Sequence, residues 1–122
     1  MKKNNIALSI IMLFFMACPP KLAKADGLAD YLWQNWVIVV MADSTQDPLY
    51  QRQLALLKRE RETLDVRDIV ILSDSNPQNP SDLRKRLRPN GFTMVLIGKD
   101  GKVKLRKARP WEVREITRII DK

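Results

Sequence analysis

Two short stretches without a polar residue, Val37-Ile38-Val39-Val40-Met41 and Ile69-Val70-Ile71-Leu72, constrain the fold more than anything else in this sequence. A strand with one wet face alternates apolar with polar residues, whereas an unbroken β-branched run marks a strand covered on both faces, as in a parallel sheet. Parallel neighbours need a crossover of a dozen or more residues, usually helical. The intervening segment supplies one: Asp47-Pro48 pairs an N-cap residue with proline at the first helical position, and Tyr50, Leu54, Leu57 and Leu64 recur at helical spacing.

Punctuation sets the remaining elements. Residues 73–81 are rich in Ser, Asn, Asp and Pro and read as a loop, and residues 80–87 form a short basic helix. Thr93-Met94-Val95-Leu96-Ile97 is again nearly all apolar, while Val103 and Leu105 alternate with Lys102, Lys104 and Arg106. Asp100-Gly101 between them is a hairpin signal. The surrounding Gly98-Lys99-Asp100-Gly101-Lys102 is not a phosphate loop, because it lacks the G-x-x-x-x-G-K-[ST] spacing and opens no helix. Pro110 starts a final helix with Val113, Ile116 and Ile120 on one face and Glu112 and Glu115 near its positive end. The expected order is β-α-β-α-β-β-α, an α/β fold with a mixed four-stranded sheet flanked by helices and a right-handed parallel crossover.

Residues 1–25 read as an export signal. Lys2 and Lys3 precede an apolar run from Ile6 to Ala17 broken only by Ser9, and Ala23-Lys24-Ala25 offers the small residues of a processing site. The run is shorter than the roughly 20 apolar residues that span a bilayer. The mature domain is then residues 26–122, periplasmic or secreted. The alternative is an envelope lipoprotein, since Phe15-Met16-Ala17-Cys18 loosely resembles an acylation signal, although Phe15 and Pro19 fit it poorly.

Removal of the leader changes the chemistry more than the size. It holds four of the 22 basic residues and none of the 14 acidic ones, so net charge falls from +8 to +4. Much of the basicity is therefore targeting. Cys18 is the single cysteine and the chain has no histidine, so the mature domain has neither thiol nor imidazole. Disulfides, thiol redox chemistry, Cys or His catalysis and the usual Zn²⁺ and Cu²⁺ ligands are excluded. No cofactor or metal is expected.

The element order resembles the thioredoxin-like core, and residues 93–102 resemble the third strand, turn and fourth strand of thioredoxins and peroxiredoxins. More closely, Arg67-Asp68-Ile69-Val70, Leu96-Ile97-Gly98-Lys99-Asp100-Gly101, Val103-Lys104-Leu105-Arg106 and Ile120-Asp121 are similar to domain of unknown function 4174. That family comprises small exported bacterial proteins and domains of animal extracellular-matrix proteins. The resemblance covers residues 28–121, and it implies a thioredoxin-like fold. It also places the usual redox C-x-x-C on Asp43-Ser44-Thr45-Gln46-Asp47-Pro48, where every sulfur is gone, and the usual cis-proline on Phe92. The Thr and Cys that a peroxiredoxin requires are missing too.

The candidate sites follow. Ser44 or Thr45 could hold an anion or a thiol substrate near a helix N-terminus, as Ser does in some glutathione transferases of this fold. Ser, Thr and Asp before a helix are, however, ordinary caps, and Asp43 and Asp47 make the mouth unattractive to anions. The densest basic stretches are Arg84-Lys85-Arg86-Leu87-Arg88 and the set Lys99, Lys102, Lys104, Arg106, Lys107 and Arg109. Strand alternation puts Lys102, Lys104 and Arg106 on one face, where they either bind a polyanion or guard a sheet edge against aggregation. Trp33, Trp36 and Trp111 are expected in the core and its rim. The reading is a non-catalytic binding domain whose partner is a protein or an anionic envelope or extracellular polymer. No specific nucleic-acid recognition is expected, and membrane contact only through a lipidated Cys18.

Overall fold

The structure, a computed structural model, describes the backbone of residues 22–24 and the whole of residues 27–122. Cys18 and nearly all of the proposed leader lie outside the described residues. The elements are β1 (Leu22–Lys24), a 3-10 turn (Leu28–Tyr31), β2 (Trp36–Met41), α1 (Pro48–Arg59), α2 (Arg61–Asp65), β3 (Ile69–Asp74), α3 (Asp82–Leu87), β4 (Thr93–Ile97), β5 (Val103–Lys107) and α4 (Val113–Ile120). The sheet order is β1-β3-β2-β4-β5. β2 and β3 run parallel, and β4 is antiparallel to both β2 and β5.

All four expected strands are present in that mixed sheet, flanked by helices. The sequence reading did not anticipate β1, which pairs in parallel with the outer edge of β3, Leu22 to Ile71 and Lys24 to Ser73. Those three residues fall within the segment read as a leader. If processing occurs before Asp26, β3 becomes the edge of the sheet.

Alternation along β2 and β4 sends neighbouring side chains to opposite faces, each with its own core. Ile38, Val40, Met94 and Leu96 meet Tyr50, Leu57, Leu64, Val113 and Ile116 from α1, α2 and α4. Val37, Val39, Met41, Val95 and Ile97 meet Leu83 and Leu87 of α3, with Leu28 and Tyr31 at the margin. The second face is thus covered by one short helix and a turn. Leu57 is 1% exposed, and its truncation to Ala would cost about 2–5 kcal/mol.

The caps follow the sequence signals. The Asp47 carboxylate accepts from the Leu49 N–H ahead of Pro48, and Glu112 with Glu115 forms a capping box on α4. The first helix is shorter than its periodicity suggests: it breaks at Glu60, whose ψ of 33° leaves the helical region, and α2 resumes from there. In the β4–β5 turn Gly101 has φ +81°, and a side chain there would also strike Leu32 Cδ2, 2.8 Å from the Cβ position.

Candidate functional site

The mouth formed where β2 and β3 end faces the start of α1, and its polar atoms are largely engaged with the local chain. Ser44 Oγ accepts from the Gln46 N–H at 2.9 Å, the Asp47 N–H donates to Ser44 O at 3.3 Å, and Gln51 Nε2 donates to Thr45 O at 2.8 Å. Asp47 caps the first turn of α1, as described. Two carboxylates, Asp43 and Asp47, flank the two hydroxyl groups, so the arrangement repels rather than gathers an anion. Among the described residues no group of three or more His, Cys, Asp or Glu could hold a metal ion.

Beneath the mouth lies a buried cluster that the sequence reading missed. Asp74, at the end of β3, is 7% exposed and Arg84 of α3 is 8% exposed. Arg84 Nε donates to Asp74 Oδ1 at 3.0 Å, and its Nη2 donates to Ala42 O and to Asp74 O. Asp74 Oδ2 accepts from Ser81 Oγ at 2.5 Å and from the Ser81 N–H at 3.1 Å, while Ser81 Oγ accepts from the Arg84 N–H. Burial alone would raise the Asp74 carboxyl; hydrogen bonds from Ser81, from the Asn76 backbone and from Arg84 outweigh it and hold the pKa below the ordinary Asp value. The outer guanidinium nitrogen stands 3.9 Å from the exposed Asp43. The cluster ties β2, β3 and α3 into one unit and fills the mouth from below.

A second polar pair was equally hidden. Gln53 of α1 is fully buried. Its Nε2 donates to Trp111 O and its Oε1 accepts from the Trp111 N–H, both at 2.9 Å, which mimics one rung of a β-ladder and fixes the approach to α4.

The two basic runs, separate in sequence, are stitched together. Arg86 of α3 donates to Gly101 O at 3.0 Å. Arg106 of β5 donates to Leu87 O at 2.6 Å and to Arg88 O at 3.1 Å, so it satisfies carbonyls at the C-terminal end of α3. Carbonyl partners leave the charge of both arginines uncancelled. Lys104 is different: its Nζ pairs with Asp100 Oδ2 at 3.2 Å. Asp100 is held below its ordinary pKa chiefly by the Lys102 backbone N–H, with Lys104 adding to it. Lys107 points to the other side of the strand, 4.8 Å from the centre of the Trp111 ring, and so leaves the row. Lys99 and Arg109 have no side-chain partner among the described residues, and the Lys102 charge adds to those that favour ionised Asp100. The α3–β5 face therefore brings Arg86 and Arg106 together, with Lys99 and Lys102 on the adjoining turn; a register shift between Leu96 and Ile97 sets Leu105 opposite Leu96 and Val103 opposite Ile97, so the regular alternation expected for Lys102, Lys104 and Arg106 is interrupted.

The tryptophans divide. Trp36 and Trp111 pack against the α1–α4 core as expected. Trp33 does not: it is 74% exposed and adopts φ +66°. Its backbone N–H donates to Lys99 O at 2.7 Å, which seats it beside the basic turn.

Chloroplastic thioredoxin z is similar over 85% of this chain and 95% of its own, with 26% identity and a TM-score of 0.62. A Plasmodium vivax 2-Cys peroxiredoxin in the reduced state matches over 77% of this chain and 80% of its own, at 18% identity and a TM-score of 0.60. Thioredoxin peroxidase I of Plasmodium yoelii matches at 19% identity and a TM-score of 0.54 over 77% and 75% of the two chains. The protein is a thioredoxin-like α/β domain. More narrowly, residues 27–122 match the family described as domain of unknown function (DUF4174), and the chain belongs to it. Two of the residues that carry the family resemblance meet in space: Arg67 Nη2 lies 2.8 Å from Asp121 Oδ2, with Nε bridging both carboxylate oxygens. That hydrogen-bonded pairing lowers the Asp121 pKa and raises that of Arg67.

Proposed function

We propose that this protein is an exported, non-catalytic thioredoxin-like binding domain that holds an anionic polymer or surface on its α3–β5 face. One observation carries the reading: Arg86 and Arg106 draw the end of α3 and the β4–β5 hairpin together, through Gly101 O and through Leu87 O and Arg88 O, so that two basic runs distant in sequence share one face. At the position where thioredoxins carry their cysteines, this chain has Asp43-Ser44-Thr45-Gln46, whose polar groups include a turn-forming Ser44. Export is supported by the apolar run from Ile6 to Ala17 and by Ala23-Lys24-Ala25.

Binding to a polyanion should weaken steeply with salt, because counterion release supplies most of its free energy. Heparin chromatography over a salt series provides the test. Replacing Lys102, Lys104 and Arg106 with Gln should lower the salt slope by roughly one unit per phosphate- or sulfate-contacting charge removed. The control variant Lys58→Gln with Arg59→Gln removes charge from α1. Equal weakening per charge in the two variants would reduce the effect to net charge, and elution of the wild type at low salt would end the reading.

A further inference from the structure

We infer that the anionic partner of this face is a phospholipid surface, and that Trp33 is the residue that enters it. The inference rests on the polyanion reading above and deepens it. An exposed tryptophan beside lysines is a different object from a basic row alone. A polymer of sulfates or phosphates is held chiefly by charge and offers an indole no apolar interior to enter. A lipid interface takes both, with cations attracted to headgroups and an indole seated at headgroup depth.

The geometry at the lower end of the sheet supplies both. Trp33 is 74% exposed, and Val103, the first residue of β5, is 43% exposed. Between them runs the turn carrying Lys99, which has no side-chain partner among the described residues, and Lys102, which shares Asp100 with the Lys104 ion pair. Trp33 is not a loose side chain on a loop. A non-glycine residue at φ +66° costs of order 1 kcal/mol and persists only where its surroundings determine it. Here the Trp33 N–H is bonded to Lys99 O, and the Gln34 and Asn35 N–H groups turn back to Tyr31 O. The Leu32 side chain closes on Gly101, where a Cβ would stand 2.8 Å from Leu32 Cδ2. The segment thus uses Leu28, Tyr31 and Trp36 against the core and holds the indole outward on a backbone locked to the basic turn. Acids bound the footprint. Asp100 is paired with Lys104, exposed Asp30 lies in the turn before Trp33, and the Asp68 carbonyl accepts from Asn35 Nδ2 and from the Trp36 N–H. The contact needs no acyl chain, in contrast to the expectation that only a lipidated Cys18 would bring the domain to a membrane.

The test uses the purified processed protein and vesicles of phosphatidylcholine with or without about one-third phosphatidylglycerol, read by sedimentation and by tryptophan emission. Wild type should bind the anionic vesicles with a blue shift and leave the neutral ones. Trp33→Asn is the informative variant, because Asn tolerates the left-handed conformation and preserves the turn. It should abolish the blue shift and weaken vesicle binding on the order of tenfold, for loss of the buried indole area, while heparin binding stays unchanged. Lys99→Gln with Lys102→Gln should weaken vesicle binding about fivefold per lysine. Heparin binding without vesicle binding, or vesicle binding insensitive to Trp33→Asn, overturns the lipid assignment and leaves the polyanion reading standing. Failure to bind either probe overturns both.

Discussion

The two ends of the sheet treat their polar groups in opposite ways. At the mouth above β2 and β3, Asp74, Ser81 and Arg84 satisfy one another in near-complete burial, and the loop above them closes on itself through Ser44 and Asp47. At the other end, and along the α3–β5 face, arginines lean on carbonyls that leave their charge intact, and among the described residues Lys99 and Trp33 have no side-chain partner. The mouth is tied together by its own side chains. On the proposed reading, the groups left over for a partner lie elsewhere.

Arg84→Ala should break the comparison most visibly. It leaves Asp74 as a buried charge without its counterion, at a cost of about 3–5 kcal/mol, measurable by urea unfolding. A change under about 1 kcal/mol would mean that the mouth is loosely built, and the contrast would fail. Acid should act on the same group. The pKa of Asp74 is depressed in the folded state, so its stabilising contribution is complete above the unfolded value of about 3.9 and is lost as pH falls through the folded value. Thermal midpoints measured downward from pH 5 should fall, and Asp74→Asn should flatten that fall while lowering stability at neutral pH.

Gln53→Ala comes next, at about 1–3 kcal/mol for each backbone group of Trp111 left buried and unpaired. Smaller again is Asp47→Ala, about 1 kcal/mol for loss of the N-cap. Ser44→Ala sharpens the comparison chemically: purified protein should show no insulin reduction or peroxide consumption above a blank. Turnover that survives repurification and disappears with Ser44→Ala would restore the mouth as an active site.

Most strands and helices were legible because periodicity reports burial of apolar side chains, as in β2 and β4; β5, with no buried residue, was legible instead from its turn signal and its pairing partner. Trp33 was not, since an aromatic in a segment containing Leu28, Tyr31, Leu32 and Trp36 reads as core. Only the turn geometry shows that its neighbours take the core positions. Arg84 was hidden by company: in an Arg-Lys-Arg-Leu-Arg run it looks solvated. Its phase, between buried Leu83 and Leu87 and three residues after the capping Ser81, was the available signal. Gln53 gave a similar cue, sitting between Tyr50 and Leu57 on the buried face of α1. β1 was masked by the leader pattern that overlaps it. N-terminal sequencing of the native protein will show whether Leu22–Lys24 remains, and Asp26 at the first position is the expected result.

The bond from the Trp33 N–H to Lys99 O also orders events in time. A hairpin such as β4–β5 closes locally, in microseconds, and its turn supplies both the carbonyl and the glycine notch against which the Trp33 segment rests. That segment leaves the ribosome long before the turn exists. It is made early and positioned late, so a chain halted before residue 101 would carry its indole with nowhere to be set.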